Sequence, residues 1–404
     1  MQWFRRSWVN YSAVAVSGIM GAMFFWFWNS GKSPFFSTQP LMPLHPAATA
    51  MVAGFQGQPL TRIVSQDALV VDPSQLPTWA LQELHRRDPK AMASKRQFLW
   101  NGHSSFFKKA LQWNVSGLHP VHIHIVVPVK GVSEELIRVI AREHNDWTRQ
   151  AWIWHHQGFG PPLKTVHVTM SPSLMQILSP WIPPGSSVSV INRQGSLLAQ
   201  VANPISRGLS WQPHPAGEIL SPVLLATALQ HPQLFAKLRP TQSDLLNVIS
   251  RRWGQSSIRG TLKSLRFGKG TAIRGQPFSD PPLPPSPVNV FSHATNLWVT
   301  NDEVARAYLV LANLGKEAPH LRWNAASARS SLKPITTREA VRKVEHVLPQ
   351  ELADNTRFYV WRPDNQMSVA YTHAKGGIVI VIQGSATLHT LSIAQQVALW
   401  AHNS

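Results

Sequence analysis

The sequence predicts an α+β protein with a membrane anchor, on the strength of three observations. A predominantly apolar stretch lies near the N-terminus, at residues 8–28. Segments with the alternation of strands and segments with the spacing of amphipathic helices both occur between residues 61 and 164. The same mixture continues from residue 165 to the C-terminus, so both kinds of element contribute to each part of the chain.

Residues 8–28 have the length of a transmembrane helix. Asn10 is their only strongly polar side chain, and about twenty apolar residues span a bilayer. Arg5 and Arg6 precede the stretch and only Lys32 follows closely, which places the N-terminus in the cytoplasm. A cleaved signal peptide is the competing interpretation, but the run is long for one and no small-residue cleavage site follows. We therefore expect a single-pass anchor in a bacterial cytoplasmic membrane, with residues 1–7 inside and the bulk of the chain outside.

The charge balance is strongly basic. The chain has 38 Lys and Arg against 19 Asp and Glu, a formal net charge of +19. Such a charge attracts nucleic acid, anionic lipid or anionic wall polymers, but the basic residues are dispersed and form no nucleic-acid-binding motif, so we expect no nucleic acid partner. The absence of cysteine excludes disulfides, thiolate metal sites and a cysteine nucleophile.

A linker and an α+β pedestal are predicted after the anchor. Proline, serine and glycine recur through residues 29–60, which favours a linker. Ser133 is a suitable N-cap for a helix whose first turn contains Glu134 and Glu135. The elements predicted for the pedestal at 61–164 are two short strands around a turn at 61–73, a helical stretch at 77–113, a strand at 121–129 and a helix at 132–154.

Two histidines of the pedestal are candidate metal ligands. His122 and His124 lie two apart on the predicted strand, so both side chains share one face. Together with a third histidine from elsewhere they could hold zinc or copper. The alternative is coincidence, because a chain with 18 histidines places some at this spacing by chance. We expect no other cofactor.

From residue 165 the pattern predicts a strand, a short helix and a hairpin. Val166, Val168 and Met170 alternate with polar residues, and residues 174–181 have helical spacing. Apolar runs at 188–191 and 197–201 flank the turn sequence Asn-Arg-Gln-Gly. A helix is predicted from Pro215 to Leu229. Further along, strands are predicted at 358–362, 368–372 and 377–383, followed by a final helix at 392–402.

The order of these segments resembles the transpeptidase domain of the class B penicillin-binding proteins. VTMSPSLMQ at 168–176, VSVINRQGSLLAQVANP at 188–204 and HPAGEILSP at 214–222 match that family's opening strand and helix, its VVLDPxTGEILAMxSxP hairpin and its PPGSTFKP helix. SHATNLWVTNDEVARAYLVLANLG at 292–315 matches its VTPLQLARAYAxLANxG helix, with Thr300 as the N-cap. Over residues 165–404 the resemblance implies a mostly antiparallel sheet with helices on both faces and a helical subdomain.

The residues that carry catalysis in that family are not retained. Its S-x-x-K motif places a serine nucleophile and a lysine at the head of a helix, and these positions hold Glu218 and Ser221. The S-x-N motif falls near Ser243, with Leu245 in place of asparagine; Ser243 is otherwise a helix N-cap. The sequence most similar to K-T-G begins at Lys375, in the hairpin before the last strand. By resemblance, Ser243 and Lys375 are the remaining candidate binding residues.

The sequence therefore predicts a membrane-anchored pseudo-transpeptidase, not an active enzyme. It would act as a binding or scaffold component of peptidoglycan synthesis, for cell division or another wall process. The expected partners are peptidoglycan or its precursors and a membrane-embedded glycan polymerase or another envelope-synthesis protein. Two alternatives stay open: an active D,D-transpeptidase that uses Ser221 or Ser243, and a periplasmic metal-binding protein that uses His122 and His124.

Overall fold

The protein has an α+β fold, as predicted. A computed structural model describes residues 51–87, 98–100, 109–110, 112–133, 136–137, 140, 165–203, 212–230, 253, 255–268, 281–284, 297–316, 321, 333–374 and 377–404. The strands are β1 (Met51–Ala53), β2 (Thr61–Val71), β3 (Phe98–Trp100), β4 (Leu118–Pro128), β5 (Thr165–His167), β6 (Ser186–Asn192), β7 (Leu197–Asn203), β8 (His214–Pro215), β9 (Trp298–Val299), β10 (Gln350–Ala353), β11 (Thr356–Trp361), β12 (Met367–Thr372) and β13 (Ile378–Gln383). The helices are α1 (Thr78–Arg87), α2 (Pro172–Leu178), α3 (Ser221–Ala228), α4 (Gln255–Ser264), α5 (Asn301–Ala312), α6 (Arg338–Glu345) and α7 (Thr390–Asn403).

The predicted anchor at residues 8–28 lies outside the described residues, as does most of the predicted linker. Within the described part of the chain, no helix is both long and apolar enough to cross a membrane. The chain divides into two compact units. One contains Ser65–His124, and the other contains Ala47–Val64, Ile125–Arg149 and Leu163–Ser404.

The first unit corrects two predictions for the pedestal. Residues 61–71 form one strand and not two short strands around a turn, and β2 lies between β3 and β4 in a three-stranded sheet. This pairing overrides the turn-like local composition. Residues 98–100 were expected to be helical but form β3, in which Trp100 pairs with Leu69. The core of this unit contains Leu69, Val71, Leu76, Ala80, Leu84, Trp100 and Ala110.

The predicted cap at Ser133 is confirmed. The hydroxyl of Ser133 accepts a hydrogen bond from the amide of Leu136 at 3.4 Å. Leu136 and Ile140 are helical and buried, as expected for the inner face of this helix. Residues 141–154 of the predicted helix lie outside the described part of the chain.

A six-stranded sheet forms the centre of the second unit. Its strand order is β10-β11-β12-β13-β6-β7, and all neighbouring pairs are antiparallel. The hairpin β6–β7 and the three strands β11, β12 and β13 were all predicted within three residues of their observed bounds. Long-range pairing places the hairpin beside the last strand, with Ile191 opposite Val379.

Helices contact both faces of this sheet. On one face, the side-chain amide of Asn301 in α5 donates to the hydroxyl of Ser187 at 3.0 Å. Ser368 lies on the other face, and its hydroxyl oxygen is 2.7 Å from the hydroxyl oxygen of Thr390 in α7. The pairing of Ser187 with Gln383 and of Ser368 with Ile382 shows that the two serines point in opposite directions, because successive residues of a strand alternate between faces.

Helix α5 is the buried helix predicted from the 292–315 segment. Thr300 and Glu303 form a capping box, in which the threonine hydroxyl accepts from the amide of Glu303 and the carboxylate accepts from the amide of Thr300. All residues of α5 are buried. The helix therefore runs through the core between the sheet and α3.

Candidate functional site

The head of α3 is the position at which the sequence resemblance places a nucleophile. Its entry is built by long-range pairing: β8 lies antiparallel to β9, and the amide of Ala216 donates to the carbonyl of Leu297 at 2.8 Å. Gly217 has a φ of 49°, and a Cβ there would lie 3.4 Å from the Asp364 carboxylate. Glycine therefore allows the chain to turn close to Asp364 before the helix begins.

The predicted start of this helix is wrong. The sequence places the first helical residue at Pro215, whereas the helix begins at Ser221. Residues 214–215 are instead a strand paired with Trp298 and Val299, and turns occupy residues 217–220. The partner strand is more than 80 residues away in sequence, so no local pattern indicates this pairing.

Ser221 serves as part of the helix start. Its hydroxyl donates to the backbone carbonyl of Glu218 at 2.5 Å, and its amide donates to the same oxygen at 3.1 Å. The indole of Trp361, on β11, donates a third hydrogen bond to that carbonyl at 3.0 Å. The Ser221 hydroxyl proton is therefore used within the turn.

The space around Ser221 is small and apolar. Ser221 is only 1% exposed, and the adjoining cavity has a volume of about 10 Å³, which holds about one water molecule. Its walls are the side chains of Pro222, Leu225, Val344, Val347, Leu348 and Trp361. A serine that attacks an acyl donor needs access for substrate and a group that removes its proton, and these walls provide neither.

A hydrogen bond from α5 further ties the head of α3 to the core. The buried hydroxyl of Tyr308 donates to the carbonyl of Ile219 at 2.6 Å. Burial raises the pKa of Tyr308 well above its ordinary value, so the phenol is neutral and acts as a donor. The backbone of residues 218 and 219 is thus held by Trp361 from β11 and by Tyr308 from α5.

His214 lies at the same entry and is kept uncharged. Both of its ring nitrogens are buried. Burial lowers the pKa of His214 to about 4, although the nearby backbone of Val299 and Gln212 and the charge of Asp364 act in the opposite direction. The imidazole is therefore neutral at physiological pH.

An ion pair that the sequence did not indicate lies between α6 and β12. Nε2 of His373 is 2.5 Å from the Glu345 carboxylate, and Nδ1 is 3.0 Å from the carbonyl of Ala312, the last residue of α5. Both acceptors require an N–H group, so this geometry fits the doubly protonated imidazolium. Burial lowers the pKa of His373, but the hydrogen bond and charge of Glu345 and the Ala312 carbonyl outweigh it, so the pKa is raised.

Aromatic rings surround this ion pair. Tyr371 stacks on Tyr359 with ring centres 5.2 Å apart, and both rings meet the His373 ring at steep angles. The hydroxyl of Tyr371 lies 3.4 Å from the Glu345 carboxylate. The His373–Glu345 pair joins α5, α6 and the sheet. Since both ring nitrogens of His373 are hydrogen-bonded, the imidazole is not available as a general base.

The remaining predicted residues are only partly placed. Ser243, Leu245 and Lys375 lie outside the described residues. His122 and His124 are on β4 as predicted, but only the backbone is described there. Among the residues described, no group of three histidine, cysteine or acidic side chains could hold a metal ion.

Comparisons with known proteins add no assignment. No model of a known protein family matches the chain. No curated protein is significantly similar in sequence. We therefore infer function from the residues of this chain alone.

Proposed function

We propose that this chain is a membrane-anchored, penicillin-binding-protein-like pseudo-transpeptidase that acts as a scaffold in peptidoglycan synthesis. The α+β architecture supports the proposal: the β6–β7 hairpin lies next to the last strand, α3 is buried, and α7 contacts the face of the sheet opposite α5. A basic chain of net charge +19 also suits contact with anionic wall polymers.

The observation that carries the non-catalytic part of the proposal is the head of α3. Where the resemblance expects a serine nucleophile and a lysine, the chain has Glu218 and Ser221. The hydroxyl of Ser221 is buried and bonded to the Glu218 carbonyl, beneath the indole of Trp361. The nucleophile position therefore has no hydroxyl, and the Ser221 hydroxyl, which would have to be free if Ser221 carried out acyl transfer, stabilises the helix start instead.

Recovery of partners from membranes tests the scaffold role. The full chain, cross-linked in its native membrane and purified, is expected to bring with it a polytopic envelope-synthesis protein. A variant in which residues 8–28 are replaced by an unrelated transmembrane helix shows whether the anchor selects that partner. Recovery of the full chain without any envelope-synthesis protein would contradict the proposal.

A further inference from the structure

An open groove lies between the C-terminal end of α3 and one side of α4. Its volume is about 390 Å³, within the range of roughly 300–1,000 Å³ common for small-molecule sites. It is on the far end of α3 from Ser221, so it is separate from the site described above. The polar lining consists of Thr227, Gln230, Ser257, Thr261 and Ser264, with the backbone of Gly260 among them.

Gly260 is unusual because no described part of the chain requires a glycine there. It lies in the interior of α4, where glycine costs about 0.5–1 kcal/mol relative to alanine. A Cβ at this position would meet nothing within 4 Å. Packing among the described residues therefore does not account for the glycine, whereas the approach of a ligand to the helix backbone does.

The side chains that line the groove include both hydrogen-bond donors and hydrogen-bond acceptors. The hydroxyls of Thr227 and Ser264 donate to the carbonyls of Val223 and Thr261, at 2.8 and 2.7 Å, which leaves their oxygens as acceptors. In the described part of the chain, the side chains of Gln230 and Ser257 have no hydrogen-bond partner and can both donate and accept. A ligand with several O–H groups satisfies this set.

The same lining excludes other ligand classes. None of the described side chains that line the groove is charged, although the chain as a whole is strongly basic. An anion would find no cationic partner there, and an apolar ligand would leave the hydroxyls and the amide without hydrogen bonds, at a cost of about 1–3 kcal/mol each. Pro334 is exposed and adds apolar surface for the C–H faces of a ring, beside Trp253, which is 4% exposed.

We propose that this α3–α4 groove binds a neutral saccharide, with Gly260 at the point where the sugar ring approaches the helix. The inference goes beyond the scaffold function and does not depend on it. Loss of sugar binding would leave the behaviour of Ser221 and the choice of membrane partner unchanged.

Calorimetric titration of the full chain tests the proposal, in a detergent without a sugar headgroup. The probes are the β-1,4-linked tetramer of N-acetylglucosamine, cellotetraose and maltotetraose. Saturable binding of at least one probe is expected, with a Kd of about 1–10 mM and no dependence on salt, because no charges are involved. Gly260→Leu should raise that Kd at least about tenfold by filling the groove. Gly260→Ala puts a methyl group where the sugar approaches the helix backbone, so it should also raise the Kd, although less, while unfolding at a higher temperature.

Two further variants complete the test. Ser256→Leu places the same side chain on an exposed position of α4 that does not line the groove, and it should bind like the wild type. The double variant Gln230→Ala with Ser257→Ala removes hydrogen bonds without adding bulk and should weaken binding at least about fivefold. The proposal is overturned if none of the three neutral probes binds, or if neither Gly260→Leu nor the double variant weakens binding.

Discussion

Replacing Trp361 by alanine is expected to reduce the free energy of unfolding by about 3–5 kcal/mol, the usual cost of deleting a buried aromatic side chain. Trp361 is 7% exposed and covers the head of α3, where its indole donates to the Glu218 carbonyl at 3.0 Å. The substitution would remove this hydrogen bond and enlarge the cavity beside Ser221. Urea denaturation of the purified chain measures the loss.

Two variants separate the contributions of Trp361. Trp361→Phe retains an aromatic ring but not the indole N–H, and should cost about 1–2 kcal/mol, because Ser221 still donates twice to the Glu218 carbonyl. Trp298 is 48% exposed, so Trp298→Ala should change stability by less than about 0.5 kcal/mol. Equal effects of Trp361→Ala and Trp298→Ala would show that the head of α3 does not depend on the indole.

Glu345→Gln is expected to destabilise the protein by about 2 kcal/mol at pH 6, since hydrogen bonds to charged groups contribute about 1.5–3 kcal/mol and His373 is partly exposed to solvent. Glu345 is 6% exposed and holds the imidazolium of His373. Glu339 lies on the same helix but forms only an exposed pair with Lys343. Glu339→Gln should therefore leave the unfolding midpoint unchanged.

The effect of Glu345→Gln should depend on pH in a defined direction. The pKa of His373 is raised in the folded protein above an unfolded value of about 6.5. Its stabilising contribution is then complete below pH about 6.5 and is lost as the pH rises through the folded pKa. The difference between wild type and variant should be largest near pH 6 and shrink towards pH 9. The titration of His214 is common to both proteins and cancels. A difference that is constant or grows with pH would exclude the imidazolium.

Elements defined by local pattern were predictable from the sequence. The β6–β7 hairpin follows from two apolar runs around Asn-Arg-Gln-Gly, and the strands β11, β12 and β13 each have continuous apolar or aromatic residues. The start of α5 follows from Thr300 and Glu303 at capping-box spacing. In each case the residues that determine the element are neighbours in the chain.

The features that were missed depend on contacts between distant residues. The late start of α3 results from the pairing of His214 with Val299. Trp361 reaches a carbonyl that is 143 residues away, and Glu345 and His373 are 28 residues apart in no recognisable motif. Glu345 lies four residues after Val341, on the apolar face of an amphipathic segment, and this position was the signal available for the ion pair, because an acid on a buried face requires a partner.

Covalent labelling by a fluorescent penicillin tests the central claim most directly. The full chain in detergent is incubated with the label and its intact mass is measured, beside Ser221→Ala and Ser243→Ala variants and an active penicillin-binding protein as the positive control. The predicted result is no adduct on the chain under conditions that label the control fully, since the Ser221 hydroxyl is buried and bonded to the Glu218 carbonyl. A stoichiometric adduct that disappears in either serine variant would contradict a non-catalytic role.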